Sequence, residues 1–162
     1  MNRFIATFFY AGLLRPGPGT WGSLAALPVA WLLHMLGGPL ALAIGIVATF
    51  AIGLVVVRAE TARTGVEDPS EIVIDEVSGQ WLALFPVSFG AWHVDAAITD
   101  LWPGWVAAFL LFRLFDIAKP GPVGWADRRG DPMGVMLDDI IAGAIAAVGV
   151  VILGVLAHVV LL

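Results

Sequence analysis

The chain has 162 residues, of which 60% are hydrophobic and only 13% are charged, and its formal net charge is −5. A typical soluble domain carries about 25% charged residues, so this composition excludes a soluble globular protein and indicates an integral membrane protein. The negative charge, without a basic cluster, gives no support for nucleic-acid binding. The sequence contains no cysteine, which excludes disulfides, thiolate metal sites and cysteine nucleophiles.

Apolar runs predict an all-α, polytopic membrane protein with about five membrane-embedded helices in a single domain, residues 1–162. A helix needs about 20 apolar residues to cross the hydrocarbon core. The first apolar stretch, residues 4–14, is too short and is expected to be interfacial or re-entrant. Two runs reach the required length, residues 39–57 and 140–162. Three shorter runs are expected to span in part or to re-enter, residues 23–36, 77–92 and 103–117.

Most charged residues fall on one side of this five-helix arrangement, and only Asp95 and Asp100 are expected on the other. Because successive loops alternate sides, the N-terminus shares a face with residues 58–76 and 118–137. All basic residues lie on or next to that face, and the positive-inside rule places it in the cytoplasm; they are Arg3, Arg15, Arg58, Arg63, Arg113, Lys119, Arg128 and Arg129. The three histidines are expected near the opposite face. Chemistry at the charged face must therefore use carboxylates, arginine and lysine.

A Gly/Pro-rich turn precedes the first predicted helix, with the sequence RPGPGTWGS at residues 15–23. Its backbone N–H groups can converge on one centre, and a helix opening at Thr20 or Ser23 favours an anion at its N-terminus. Gly19 and Thr20 are therefore candidate substrate-binding residues. The alternative is a plain helix start that is capped by the hydroxyl of Thr20 or Ser23.

Two acidic residues, Asp75 and Glu76, precede the apolar run of residues 77–92 in the sequence EIVIDEVSGQW. They either complement a helix dipole or contribute to a site. Gly79 and Gln80 then interrupt the apolar run, and a polar residue inside a membrane segment is typical of a lined cavity.

The sequence FRLFDIAKP contains three charged residues spaced three apart, Arg113, Asp116 and Lys119. In a helix, side chains at this spacing lie near one face, each rotated somewhat from the one before. Arg113 has apolar neighbours and needs a partner, and Asp116 is the nearest. One interpretation is a salt bridge, with Lys119 reaching the interface. The other is that Arg113 and Lys119 bind a phosphate, while Asp116 orients one of them, acts as a base or holds a metal.

The last motif, GVMLDDIIAG at residues 134–143, places Asp138 and Asp139 at the head of the final apolar run. Adjacent helical residues point about 100° apart, so the two aspartates cannot serve one site identically. One is expected to face the bundle, while the other caps the helix or supports the site through indirect contacts. A purely capping role for the pair is the alternative.

Taken together, these motifs predict Mg²⁺-dependent phosphoryl chemistry on a lipid at the cytoplasmic interface. Carboxylates without histidine or cysteine suit Mg²⁺, and Asp75, Glu76, Asp138 and Asp139 are the candidate ligands. Two other classes stay open. One is a carboxylate-lined ion or proton transporter, although the two longest apolar runs carry almost no polar residue. The other is a non-catalytic membrane scaffold.

The four motifs, in this order, resemble the phosphatidylglycerophosphatase A family over residues 13–143. The matching blocks are PGTWGS, DEVSGQW, FRLFDIAKPGPV and GVMLDDIIAG. The resemblance implies a Mg²⁺-dependent phosphatase of the bacterial inner membrane that converts phosphatidylglycerophosphate to phosphatidylglycerol. For this chemistry we predict Asp75, Glu76, Asp116 and Asp139 as the catalytic residues. Direct attack by water and an aspartyl-phosphate intermediate are both compatible with it, and the oligomeric state is left open.

Overall fold

The computed structural model describes residues 2–66 and 69–161, and within them it contains helices and no strand. The helices are α1 (Asn2–Ala6), α2 (Pro18–Thr64), α3 (Ile74–His93), α4 (Trp102–Ala118), α5 (Pro122–Asp127) and α6 (Pro132–Leu161). Short 3-10 turns at Ala11–Leu13 and Ile98–Leu101 precede α2 and α4. Three helical segments are long and apolar enough to cross a membrane, Pro18–Thr64, Ile98–Ala118 and Pro132–Val160. The predicted class, a helical membrane protein, is confirmed.

Helix α2 is broken at two glycines. Gly38 has φ +60°, a left-handed conformation that glycine adopts without steric cost. The Cδ1 atom of Leu33 lies 2.9 Å from the position that a Cβ would take at Gly45. In a straight helix these residues would be about 18 Å apart, so the chain folds back between them. The two arms, residues 18–36 and 39–64, match the two runs predicted from the sequence.

The outer surface of the bundle is apolar. Leu36 on α2 is 74% exposed and Val159 on α6 is 72% exposed, and many other large hydrophobic side chains of α2, α4 and α6 are also exposed. A soluble monomer rarely exposes so much contiguous apolar surface. This surface is the one expected to face lipid.

Helix α3 occupies the centre and packs against α2, α4 and α6. It crosses α6 at Gly79 and Gly143, where a Cβ on Gly143 would overlap the Gly79 carbonyl oxygen and lie 3.0 Å from the Gly79 Cα. Small residues allow this close approach of membrane helices. Asp75 precedes Gly79 by four residues, and Asp139 precedes Gly143 by four residues. The crossing therefore brings the two aspartates side by side.

Helix α2 begins earlier than predicted. Its first residue is Pro18, and Gly17 occupies the N-cap position without a side-chain cap. The hydroxyl of Ser23 instead donates to the carbonyl oxygen of Gly19 at 2.9 Å. The expected opening at Thr20 or Ser23, with a hydroxyl cap, was wrong. Proline at the first helical position supplies a helical φ and has no N–H to satisfy.

Helix α6 also begins earlier than its apolar run. It starts at Pro132, and the Oδ1 atom of Asp131 accepts a hydrogen bond from the N–H of Gly134 at 2.7 Å. This is the geometry of an N-cap. Asp138 and Asp139 lie within the helix, so the alternative that they cap it was wrong. Hydropathy marked where the apolar part of α6 begins, whereas the cap marks where the helix begins.

The N-terminal stretch predicted as one interfacial or re-entrant element is divided. Helix α1 is followed by Phe8, Phe9 and Tyr10, all with left-handed backbone at φ 42°, 56° and 70°. The Phe4 ring packs edge-on against the rings of Phe9 and Tyr10, with centroids 5.0 and 5.3 Å away. These contacts hold a compact aromatic turn instead of a continuous helix.

Candidate active site

Three carboxylates converge where α3 and α6 meet. One side-chain oxygen from each of Asp75, Glu76 and Asp139 lies within 4.8 Å of the other two. Asp75 and Asp139 are only 7% and 3% exposed. Asp75 and Glu76 occupy the first turn of α3. The structure thus brings together three of the four acids predicted to bind a metal.

Helix α4 contributes an ion pair to the same place. The Nη1 atom of Arg113 lies 2.6 Å from Oδ2 of Asp116, and both side chains are largely buried. Asp116 also interacts directly with Asp139. The predicted pairing of Arg113 with Asp116 is confirmed. The guanidinium of Arg113 therefore lies at the edge of the carboxylate cluster.

The first turn of α2 closes over these groups. A Cβ at Gly19 would overlap Oε1 of Glu76 and would lie 3.0 Å from Nη1 of Arg113. A side chain at this position would displace the Glu76 carboxylate, so glycine lets α2 lie against the site. Thr20 lies in the same turn, where its Oγ1 is 3.5 Å from the position of a Cβ at Gly17. Gly19 lies against the site directly, whereas Thr20 is directed toward the N-cap.

Asp138 points away from this cluster and holds Lys119. The Nζ atom of Lys119 donates to Oδ2 of Asp138 at 2.8 Å and also to Asp127. The other oxygen of Asp138 accepts the N–H of Asp139 at 3.0 Å. Both oxygens of Asp138 are thus engaged. An ammonium has three donors, so two of them are used here and a third can reach a ligand.

Asp127 was not among the predicted site residues. It reaches Lys119 because the short helix α5, which the apolar pattern did not reveal, turns the chain back toward the end of α4. Burial alone would lower the pKa of Lys119, but the hydrogen bonds to Asp127 and Asp138 outweigh it and raise the pKa above its ordinary value. Lys119 is therefore a cation at neutral pH.

Several buried polar atoms near the cluster have no hydrogen-bond partner among residues 2–66 and 69–161. They are Oε2 of Glu76, Nε of Arg113 and both amide atoms of Gln80. Buried polar groups in native proteins are nearly always hydrogen-bonded, and exceptions often mark functional sites.

The charges at the cluster are unbalanced. Four acids, Asp75, Glu76, Asp116 and Asp139, share the region with the single guanidinium of Arg113. Buried charge of one sign is costly unless a partner compensates it. Oxygen ligands are typical of Mg²⁺, and two ligands on opposite sides of the ion lie about 4.2 Å apart. The three converging oxygens can reach such spacings by small side-chain movements, so the donor set fits Mg²⁺.

The chain is similar to known bacterial proteins. A model of the family described as phosphatidylglycerophosphatase A matches residues 4–154. A phosphatidylglycerophosphatase A of Haemophilus influenzae is 40% identical over 146 residues, which cover 89% of this chain and 83% of the relative. The Escherichia coli protein of that name is 37% identical over 145 residues, covering 88% and 77%. No solved structure matches this chain.

A third relative has a different name. A protein of Bacteroides thetaiotaomicron, provisionally named phosphatidylinositol-3-phosphatase, is 37% identical over 145 residues, which cover 86% of this chain and 84% of the relative. All three relatives are bacterial and carry phosphatase names. The prediction of an enzyme, rather than a transporter or scaffold, is confirmed. From the match over nearly its whole length, the chain belongs to the phosphatidylglycerophosphatase A family.

Proposed function

We propose that this protein is a Mg²⁺-dependent lipid phosphatase that hydrolyses phosphatidylglycerophosphate to phosphatidylglycerol and phosphate. The observation that carries the proposal is the convergence of Asp75, Glu76 and Asp139 beside Arg113. Anionic ligands for a metal thus lie next to a cation for phosphate, at the ends of membrane helices. The family membership and the names of two relatives support the substrate.

Asp75, Glu76 and Asp139 would hold the Mg²⁺ ion. When bound, Mg²⁺ neutralises phosphate oxygens and lowers the pKa of a coordinated water. Asp138 was also a predicted ligand, but its engagement with Lys119 and with the backbone of Asp139 suits a supporting role. In this role Asp138 would fix the position of the Lys119 ammonium.

Arg113 and Lys119 bind the non-bridging oxygens of the phosphate, because charge-assisted hydrogen bonds are the strongest available to that group. Asp116 fixes the guanidinium of Arg113. Because it also interacts with Asp139, it is the candidate base at the carboxylate cluster. The N-terminus of α2, at Gly19 and Thr20, adds the positive end of a helix dipole, which favours the anionic phosphate.

The location of the cluster suits a lipid substrate. It lies at the N-terminal ends of α3 and α6 and the C-terminal end of α4, so the acyl tails remain in the bilayer while the headgroup reaches the carboxylates. The basic residues of the connecting segments favour the cytoplasmic side. We therefore propose a bacterial inner-membrane enzyme whose site faces the cytoplasm.

A second candidate substrate is phosphatidylinositol 3-phosphate, which the name of the Bacteroides relative favours. Phosphate release from both lipids should be measured with purified protein in detergent containing Mg²⁺. We expect a much higher kcat/KM for phosphatidylglycerophosphate. Faster release from the phosphoinositide would transfer the assignment to the second lipid, and no release from either, by folded protein, would overturn the phosphatase proposal.

Mg²⁺ should also stabilise the protein against heat, because it relieves repulsion among the buried carboxylates. A ligand at 100 times its dissociation constant stabilises the folded state by about 2.7 kcal/mol. We expect the Tm in detergent to rise with Mg²⁺ and to return to the starting value after chelation. The Asp139→Asn variant should show a much smaller rise. An equal rise in both proteins would show that Mg²⁺ acts elsewhere.

A further inference from the structure

We propose that Gln80 is a substrate-binding residue whose side-chain amide donates a hydrogen bond to a phosphoryl oxygen of the lipid bound at the carboxylate cluster. This inference rests on the proposed function. The Gln80 amide would be a neutral hydrogen-bond donor that lies deeper in the bundle than the charged groups of the site.

The first observation is the burial of Gln80. Its side chain is fully buried, yet neither Nε2 nor Oε1 has a hydrogen-bond partner in the described part of the chain. The other buried polar side chains of α3 beyond the acidic turn are satisfied. Ser78 donates to the carbonyl oxygen of Ile74 at 3.0 Å, and Ser88 lies 2.7 Å from Nδ1 of His34. Beyond the acidic first turn, Gln80 is therefore the exception on α3.

The second observation is the direction of the side chain. Gln80 follows Glu76 by four residues, so both lie on one face of α3. Helical side chains lean toward the N-terminus of their helix, which directs the amide of Gln80 back toward Glu76. The Cβ position at Gly19 lies against both Glu76 and Arg113, so this face of α3 is the one that borders the site.

The neighbours of Gln80 fix the same orientation. The Cβ position of Gly79 meets the Phe112 ring of α4 and lies 2.6 Å from the carbonyl oxygen of Asp139. Trp81, on the other side, donates from Nε1 to the carbonyl oxygen of Ala26 on α2 at 2.8 Å. Gln80 lies between these two residues in the helix, and with Glu76 one turn before it we infer that its side chain faces the side of α3 where Gly19 and Arg113 meet Glu76.

The chemistry of an amide suits this position. Gln80 lies about one helical turn, or about 6 Å, deeper than Glu76. A charged residue there would add to the charge already buried, whereas a carboxamide donates hydrogen bonds without a net charge. An unpaired buried amide costs free energy, and a phosphoryl oxygen that accepts from Nε2 removes that cost only when the substrate is bound.

The test compares the wild-type protein with Gln80→Leu and Gln80→Met in detergent with Mg²⁺. Removing an unpaired amide should leave the Tm unchanged or raise it by a few degrees. The Tm rise produced by inorganic phosphate, used here as the probe, should fall by at least half. For phosphatidylglycerophosphate, KM should rise about tenfold, which corresponds to about 1.4 kcal/mol of lost binding.

Ser88→Ala is the matched control, because Ser88 is equally buried on α3 but has a partner in His34. This variant should lower the Tm and leave the phosphate response and KM unchanged. If both Gln80 variants instead lose stability like Ser88→Ala, or if they keep the wild-type phosphate response and KM, the inference is overturned.

The same measurements separate this inference from the proposed function. If the wild-type protein responds to phosphate but hydrolyses no lipid phosphate, the function fails, and loss of the response in the Gln80 variants still supports the contact. If the lipid is hydrolysed normally by both variants, only the role of Gln80 fails. A wild-type protein that neither responds to phosphate nor releases it would overturn both.

Discussion

Replacing Asp139 by asparagine is expected to lower the rate of phosphate release on the order of 1,000-fold. The side chain of Asp139 is buried, its oxygen lies within 4.8 Å of oxygens from Asp75 and Glu76, and Asp116 interacts with it. Asparagine keeps the volume and one oxygen but removes the negative charge that a divalent cation needs. The initial rate of release from phosphatidylglycerophosphate measures the effect.

Asp95→Asn is the control for this substitution. Asp95 is exposed and has a left-handed backbone with φ 54°, which asparagine tolerates well. It should retain the wild-type rate and Tm. An Asp139→Asn protein that folds and keeps even a tenth of the wild-type rate would contradict the catalytic role of the cluster.

Replacing Gly143 by alanine is expected to destabilise the protein by about 2–3 kcal/mol. The new methyl group would meet the backbone of Gly79, including its Cα at 3.0 Å, and backbone atoms in a packed helix cannot move aside. The helices α3 and α6 must separate, which moves Asp139 away from Asp75. A displacement of about 1 Å can cost about 100-fold in rate. Unfolding in detergent and the rate of phosphate release measure the two effects.

Gly154→Ala provides the comparison on the same helix. A Cβ at Gly154 meets no atom within 4 Å, and alanine favours a helix over glycine by about 1 kcal/mol. This variant should be as stable as the wild type or more stable. If Gly143→Ala behaved in the same way, the close crossing would not position the carboxylates.

The helical segments were largely predictable, because the bilayer requires long apolar runs. Counting the arms of α2 separately, the described residues contain five long helical segments, as the apolar runs predicted. The helix starts were less predictable. Helix α2 begins at Pro18, and helix α6 begins at Pro132 after the cap at Asp131. Both starts lie outside the apolar runs, because they depend on local backbone chemistry that hydropathy does not measure.

The residue types of the site were evident from the sequence, but their arrangement was not. Whether Asp138 or Asp139 faces Asp75 depends on the rotation of α6, which the contact between Gly79 and Gly143 determines. The engagement of Lys119 by Asp127 depends on the turn made by α5. The rotation of a helix and the direction of a turn both follow from tertiary packing, and neither leaves a periodic pattern in a single sequence.

On the proposed mechanism, the buried carboxylates hold a divalent cation that phosphate release requires. The most direct measurement is release from phosphatidylglycerophosphate by purified protein with Mg²⁺, after chelation, and after Mg²⁺ is restored. We predict release, its loss on chelation and its recovery on restoration, with Asp139→Asn inactive throughout. Full release in the presence of chelator, or recovery by Mg²⁺ in Asp139→Asn equal to that of the wild type, would contradict the claim.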